Sequence, residues 1–289
     1  MIMPLIQLIR LPNLFLIGLI QSLIYSHLLL AESSVMDWED FFLLSIITMI
    51  VAAAGYVIND YYDAKIDRIN RPQRWIAGNT WPLKKVMNTF FIISFLGGVL
   101  AVILALRLSL LAYIFVYPLA IAGLWYYSYA LKCKPVLGNL WVALFCAGVV
   151  VLVALPDLLL KNSEVVKLDL WYYAAFAFLS TWYREVVKDL EDVNGDQTAD
   201  CKTFVVRYGL LKGKIMAGLI ALLLLVALLF WEVSYTDNTL KLLFTVMEGC
   251  IVASFAFVWW AKEATYFHRS SLMIKGIMLA GTLMLIFIK

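Results

Sequence analysis

The chain has 289 residues, 64% of them hydrophobic and 15% charged, with a net charge of +3. Soluble domains carry roughly 45–50% apolar and about 25% charged residues, so this composition excludes an ordinary water-soluble enzyme and indicates a polytopic membrane protein. The small net charge points to no nucleic-acid partner, and the 23 basic residues matter through their placement.

A bilayer core takes about 20 mostly apolar residues per helix. Nine such runs succeed one another at 12–31, 41–59, 86–106, 108–130, 138–159, 168–188, 213–233, 241–261 and 270–288. The third and fourth are divided only at Arg107, because 86–130 is about twice one span. The first run is read as a retained helix: Leu29, two before the small Ala31, leaves no A-x-A-like cleavage site. With the N-terminus inside, 18 of the 23 Lys and Arg fall on the inner side, so the reading is a cell inner membrane protein with its motif loops facing the cytoplasm. Cys133, Cys146, Cys201 and Cys250 form no C-x-x-C pair, and no disulfide or zinc site is expected. His27 and His268 lie far apart and are read as neither bases nor ligands.

The second run opens into Asn59-Asp60-Tyr61-Tyr62-Asp63-Ala64-Lys65-Ile66-Asp67. Its carboxylates, spaced i, i+3, i+7, share one helix face and repel one another, an arrangement best explained by a bound cation. Asp189, Asp192 and Asp196 repeat the spacing after the sixth run, at a constant offset of 129 residues. One such cluster at a helix end is usually just solvated. Two, at matched positions four helices apart, indicate a parallel repeat whose carboxylate clusters face each other around a cavity. The expected fold is therefore all-α, one transmembrane domain over 1–289, with repeats at 12–130 and 138–261 and an added helix at 270–288.

Magnesium takes hard oxygen ligands, typically one or two carboxylates plus substrate phosphates. Arg68, Arg71, Arg184, Lys188, Lys202 and Arg207 supply the counter-charge for a diphosphate. A charged metal–diphosphate site above a wall of apolar helices calls for a substrate with an anionic head and a greasy tail, such as a polyprenyl diphosphate.

Asn59-Asp60-x-x-Asp63-x-x-x-Asp67, then Asn70-Arg71-Pro72-Gln73-Arg74, resembles the first signature of the UbiA superfamily of intramembrane prenyltransferases. The stretch from Arg184 to Asp196, with Lys202-Thr203 after it, resembles the second, and Tyr127 to Lys132 with Gly138-Asn139 resembles the loop between helices 4 and 5. Trp75 departs from the family's usual second proline. The resemblance implies that two Mg²⁺ bridge the aspartates and the diphosphate, that the C–O bond ionises, and that a lipophilic acceptor captures the allylic cation. It implies metal roles for Asn59, Asp60, Asp63, Asp67, Asp189, Asp192 and Asp196, with Asp63, Asp192, Lys132 and Arg184 central to catalysis. Diphosphate binding falls to Arg68, Arg71, Lys132, Arg184, Lys188 and Lys202. Arg10, Asn13 and Tyr127 are candidate acceptor contacts, although each also reads as an interfacial anchor. Glu248, inside a span, is read as protonated or locally hydrogen-bonded.

Among the family's branches, Trp182 to Asp192 most resembles the one that prenylates geranylgeranylglycerol phosphate in ether-lipid synthesis. The alternative is an aromatic acceptor, such as 4-hydroxybenzoate or dihydroxynaphthoate, in quinone synthesis. A cation-coupled transporter is the reading from another class. Transport carboxylates usually sit at the bilayer midplane on broken helices, whereas these lie at helix ends.

Overall fold

The structure is a computed structural model describing residues 2–29, 34–70, 75–160 and 168–288. Among the described residues the chain is helical throughout, apart from turns and a single bridge between Ala77 and Trp81. Twelve α-helices run in order through them: α1 Ile2–Leu8, α2 Leu11–Leu23, α3 Trp38–Asn70, α4 Leu83–Arg107, α5 Ala112–Tyr126, α6 Leu137–Leu160, α7 Leu168–Glu191, α8 Val193–Thr198, α9 Phe204–Tyr208, α10 Leu210–Glu232, α11 Asn238–Trp260 and α12 Ala264–Met284. π-helical turns continue α2 over Ile24–Leu29 and α5 over Tyr127–Leu131.

Eight helical stretches among the described residues are long and apolar enough to cross a membrane, not the nine expected. The exception is α7. It has 24 residues, but Asp169, Arg184, Glu185, Lys188 and Asp189 lower its hydropathy below that of its neighbours. The chain divides into two compact units.

The first unit comprises residues 1–22, 33–132 and 155–163. Its axis is α3, whose 33 residues make a rod of about 50 Å, longer than the ~30 Å hydrocarbon core. The apolar part ends near Ile58, so the turns bearing Asp60, Asp63 and Asp67 reach beyond it. Helix α3 packs on α4 and α5. At Gly55 the backbones approach so closely that a Cβ would lie 2.9 Å from Leu124 Cδ1. A cluster of Leu8, Ala54, Val57, Ile58, Trp81 and Phe90 is buried beside the aspartate-bearing turns, so the base of the motif is anchored by apolar packing. At the other end of α3, Arg107 pairs with Asp40 and reaches Glu39 at 3.1 Å. Asp157 there accepts from Ser34 Oγ at 2.7 Å and the Val35 amide at 2.8 Å.

The second unit comprises residues 23–32, 133–154 and 164–289. Helix α7 is its centre and packs on α10 and α12. Its inward face buries Tyr173, Phe176, Tyr183, Val186, Val187 and Leu190. Its buried tyrosine hydroxyls are satisfied: Tyr173 Oη lies 2.9 Å from Thr282 Oγ1 and Tyr183 Oη 3.2 Å from Ser254 Oγ. Contrary to the sequence expectation, Cys133 and Cys201 form a disulfide across 68 residues. Sequence spacing conceals it because the two cysteines sit on separate loops that folding brings together. Glu248 Oε1 is buried without a hydrogen-bond partner among the described residues, which speaks against the locally hydrogen-bonded alternative at that oxygen.

Candidate active site

The two aspartate motifs form two different local structures. In the first unit, Asp60, Asp63 and Asp67 lie on uninterrupted α3, as the i, i+3, i+7 spacing predicts. In the second unit the single-face expectation fails. Helix α7 ends at Glu191, Asp192 caps α8 with φ −91° and ψ 5°, and Asp196 lies within α8. The break is slight, since the Asp192 amide still donates to the Lys188 carbonyl at 2.9 Å and the Asp196 amide to the Asp192 carbonyl at 3.0 Å.

Each of two aspartates on α3 receives a cation from a distant part of the chain. Arg10 Nη2 donates to Asp60 Oδ1 at 2.7 Å, and its guanidinium carbon lies 4.9 Å from the centroid of the Tyr56 ring. Arg10 sits between α1 and α2 with φ 52°, a left-handed conformation that non-glycine residues seldom adopt, and this turn directs the side chain onto α3. Asp63 is buried, accepts from Asn59 Nδ2 at 2.6 Å, and is ion-paired with Lys132 Nζ. The π-turn before Lys132 matters here. The Lys132 amide donates to the Tyr127 carbonyl at 2.9 Å, and the extra residue in that turn rotates the downstream chain relative to an α-helix. Burial alone would lower the Lys132 ammonium pKa, but the Asp63 carboxylate more than offsets it and holds it above its ordinary value.

Arg68 is exposed, its guanidinium carbon 5.7 Å from the centroid of the Trp75 ring, so the family-atypical Trp75 supports a motif cation. Tyr62 accepts from Trp125 Nε1 at 3.0 Å, and Tyr129 packs against both rings at 5.8 and 6.1 Å. This aromatic group flanks the aspartates and is only half visible in the sequence, where Tyr127 and Tyr129 stand out but Tyr62 and Trp125 do not.

On the second motif, Asp189 accepts from Asn139 Nδ2 at 2.9 Å. The cations of its own segment are engaged elsewhere, since Lys188 Nζ lies 2.9 Å from both Glu185 oxygens and Arg184 Nη1 3.4 Å from Glu185 Oε1. Burial, only partly countered by the Asn139 amide, pushes the Asp189 carboxyl up to about 7; it lies just beyond the apolar run 168–188. Asn139 is the residue that sequence reasoning passes over, although it stands inside the loop that resembles the family. Glu185 is likewise unassigned by sequence, because only folding shows that it holds both cations. Asp196 is buried, and Arg184 Nε is buried without a partner.

The remaining expected site residues are more scattered. Lys202 is exposed, with Asp200 at 3.8 Å. Asn13 is half-buried at the start of α2, its amide 2.8 Å from the Arg10 carbonyl, and Tyr127 is half-buried in the π-turn. Arg71 lies outside the described residues.

Among the described residues, no three His, Cys, Asp or Glu side chains stand close enough together to hold a metal ion by themselves. That suits Mg²⁺ with a diphosphate, since this ion usually takes only one or two carboxylates and completes its shell with phosphate and water. The donors present are hard oxygens, which fit Mg²⁺ and not a soft metal. The first unit also holds an apolar cavity of about 360 Å³, lined by Ile9, Leu14, Met49, Ile50, Ala53 and Ile93 among others.

A family model described as the UbiA prenyltransferase family matches residues 19–272. A digeranylgeranylglyceryl phosphate synthase from Sulfurisphaera tokodaii is 30% identical over 220 residues, covering 76% of this chain and 75% of the relative. A solved structure concerning digeranylgeranylglyceryl phosphate synthase in membranes shares the fold with a TM-score of 0.72 at 21% identity, over 99% of this chain and 98% of that one. A UbiA homologue from Archaeoglobus fulgidus bound to GPP and Mg²⁺ gives 0.64 at 12% identity, over 98% and 99%. These structural likenesses carry the fold, while the family model carries membership over most of the length: this multi-pass membrane protein belongs to the UbiA prenyltransferase family.

Proposed function

We propose that this prenyltransferase moves a geranylgeranyl-type group from its diphosphate to geranylgeranylglycerol phosphate, making an ether lipid at the cytoplasmic side of the cell inner membrane. The observation that carries the reading is the pair of aspartate motifs, each with its own hydrogen-bonded amide: Asn59 on Asp63 and Asn139 on Asp189. The names of relatives such as the S. tokodaii enzyme support the acceptor, and the excess of inner Lys and Arg supports the side. The A. fulgidus homologue, bound to GPP and Mg²⁺, supports the cofactor.

Bound Mg²⁺ would supply electrophilic stabilisation of the leaving diphosphate. Asn59 and Asp63 in the first unit and Asp189 and Asp192 in the second are the proposed ligands, one or two carboxylates to an ion, with Asp60, Asp67 and Asp196 as further ligands or as groups that orient ligands. Asn59 and Asn139, as amide donors, fix the carboxylate rotamers. Lys132, Arg184 and Lys188 take diphosphate oxygens as negative charge develops, and Arg68 and Arg71 serve its outer side. Lys202 is assigned to the diphosphate or to closure of the loop after α8. Apolar walls exclude water from the allylic cation, and the faces of Tyr62, Trp125 and Tyr129 stabilise positive charge. Arg10 spends its charge on Asp60, which makes it an organiser of the motif before any contact with acceptor.

An acceptor screen tests this. Purified protein in detergent with Mg²⁺ and labelled geranylgeranyl diphosphate is offered geranylgeranylglycerol phosphate, 4-hydroxybenzoate or dihydroxynaphthoate, each with an EDTA control. EDTA-sensitive label in the glycerol lipid is expected. Label in an aromatic product instead would overturn the acceptor and move the enzyme to quinone synthesis.

A further inference from the structure

The second unit contains a cavity of about 660 Å³ that none of the motif aspartates lines. Its walls are Lys134, Val136 and Leu137 on one side and Phe204, Arg207, Tyr208 and Lys212 on the other, with Pro135 completing the rim. Three of these residues are cations and none is acidic. Arg207 Cζ and Lys212 Nζ lie 5.4 and 5.6 Å from the centroid of the Tyr208 ring. Among the described residues, none of the three cations forms an ion pair with a carboxylate. Like charges converging on one concavity repel, and an anion bound there relieves that repulsion.

The cavity is also a built one. Cys133 precedes Lys134, Cys201 lies just before Phe204, and the two are joined as a disulfide, so the opposite walls are covalently linked. Val136 has φ 66°, a genuine outlier for a β-branched residue, and outliers of this kind concentrate at ligand clamps. The location identifies the ligand. Helices α6 and α10, both apolar enough to span, begin at Leu137, which lines the cavity, and at Leu210, between the lining residues Tyr208 and Lys212, and Leu137, Leu210 and Leu211 are exposed. A phosphate resting on the cations would leave its chains alongside these leucines at the membrane–water boundary. The volume exceeds that of a bare phosphate and is in the range of small-molecule sites.

We propose that this cavity binds the phosphate headgroup of a lipid, at a site distinct from the aspartate motifs. The assignment does not depend on the acceptor named above. Native mass spectrometry of the full chain in detergent tests it, with phosphatidic acid, phosphatidylcholine of the same chains, geranylgeranylglycerol phosphate and inorganic phosphate as probes. The wild-type chain should retain phosphatidic acid over phosphatidylcholine, and inorganic phosphate at equal concentration should not displace it. The relative retention of geranylgeranylglycerol phosphate then assigns the phosphate to bulk lipid or to a prenylglycerol lipid. Affinity should fall roughly fivefold for each cation removed in Lys134→Ala, Arg207→Ala and Lys212→Ala. Lys134→Arg with Lys212→Arg, which keeps the charge, should bind normally and guards against a folding artefact. Unchanged retention in the triple alanine variant, equal retention of phosphatidylcholine, or displacement by inorganic phosphate would each overturn the proposal. Because the readout is lipid binding, a negative acceptor screen leaves it standing.

Discussion

The two aspartate motifs share a spacing but differ in how their charge is held. On α3, Asp60 and Asp63 have private cations, Arg10 and Lys132, each more than 45 residues away in sequence. At the end of α7, the hydrogen-bond partner of Asp189 among the described residues is the neutral Asn139 amide, while Lys188 and Arg184 lie against Glu185. Asp60 and Asp63 are thus charge-balanced before any ligand arrives, while burial pushes the Asp189 carboxyl up to about 7, only partly countered by the Asn139 amide and by Lys188. A spacing pattern equates the motifs. The described partners separate them: Asp60 and Asp63 are held by salt bridges, Asp189 by an amide.

The sharpest way to break this comparison is to delete a carboxylate from each side. Asp63→Ala and Asp192→Ala should each reduce prenyl transfer by about 10³-fold or more, since each removes a negative ligand from the metal–diphosphate complex. Near-normal turnover in a folded, membrane-inserted variant would remove that residue from the site. Lys132→Ala should cost roughly 50- to 100-fold, because it leaves buried Asp63 without its counter-charge and takes a cation from the diphosphate. Lys132→Arg should recover part of the loss.

The third test addresses Asp189. Below about 7 Asp189 is protonated and a poor metal ligand, and above that it is ionised, so the Mg²⁺ concentration for half-maximal transfer should fall as pH rises through neutrality. Asn139→Ala withdraws the donor that favours the charged form and should move this dependence to higher pH. An Asp189→Asn variant that keeps the same pH profile would show that another group sets it.

Two scaffold tests are smaller. Cys201→Ser opens a loop of 68 residues, and the chain-entropy relation puts the cost at roughly 4 kcal/mol or less, read as a lower Tm. Gly55→Ala forces Leu124 aside from a 2.9 Å contact and should cost about 1–3 kcal/mol. These separate a second unit tied covalently from a first unit held by close helix packing.

Much of this is legible without coordinates because it rests on composition and period. Apolar runs of bilayer length dictate spanning helices, since backbone polar groups in lipid must be satisfied within the helix. The doubled aspartate spacing marks the chemistry, since carboxylates that close together are costly without a cation. The sequence alone also carries the family likeness and the side of the membrane implied by the basic loops. What only tertiary structure decides is partnership. Arg10 reads as an interfacial anchor until the turn between α1 and α2 sets it on Asp60. Asn139 reads as loop until it meets Asp189, and Cys133 and Cys201 read as unrelated thiols until two loops meet. The α7–α8 break at Asp192 is equally hidden, because a modest backbone rotation leaves no trace in residue spacing. Local sequence encodes periodicity and charge, whereas a contact across 50 or more residues exists only once packing has fixed which faces oppose.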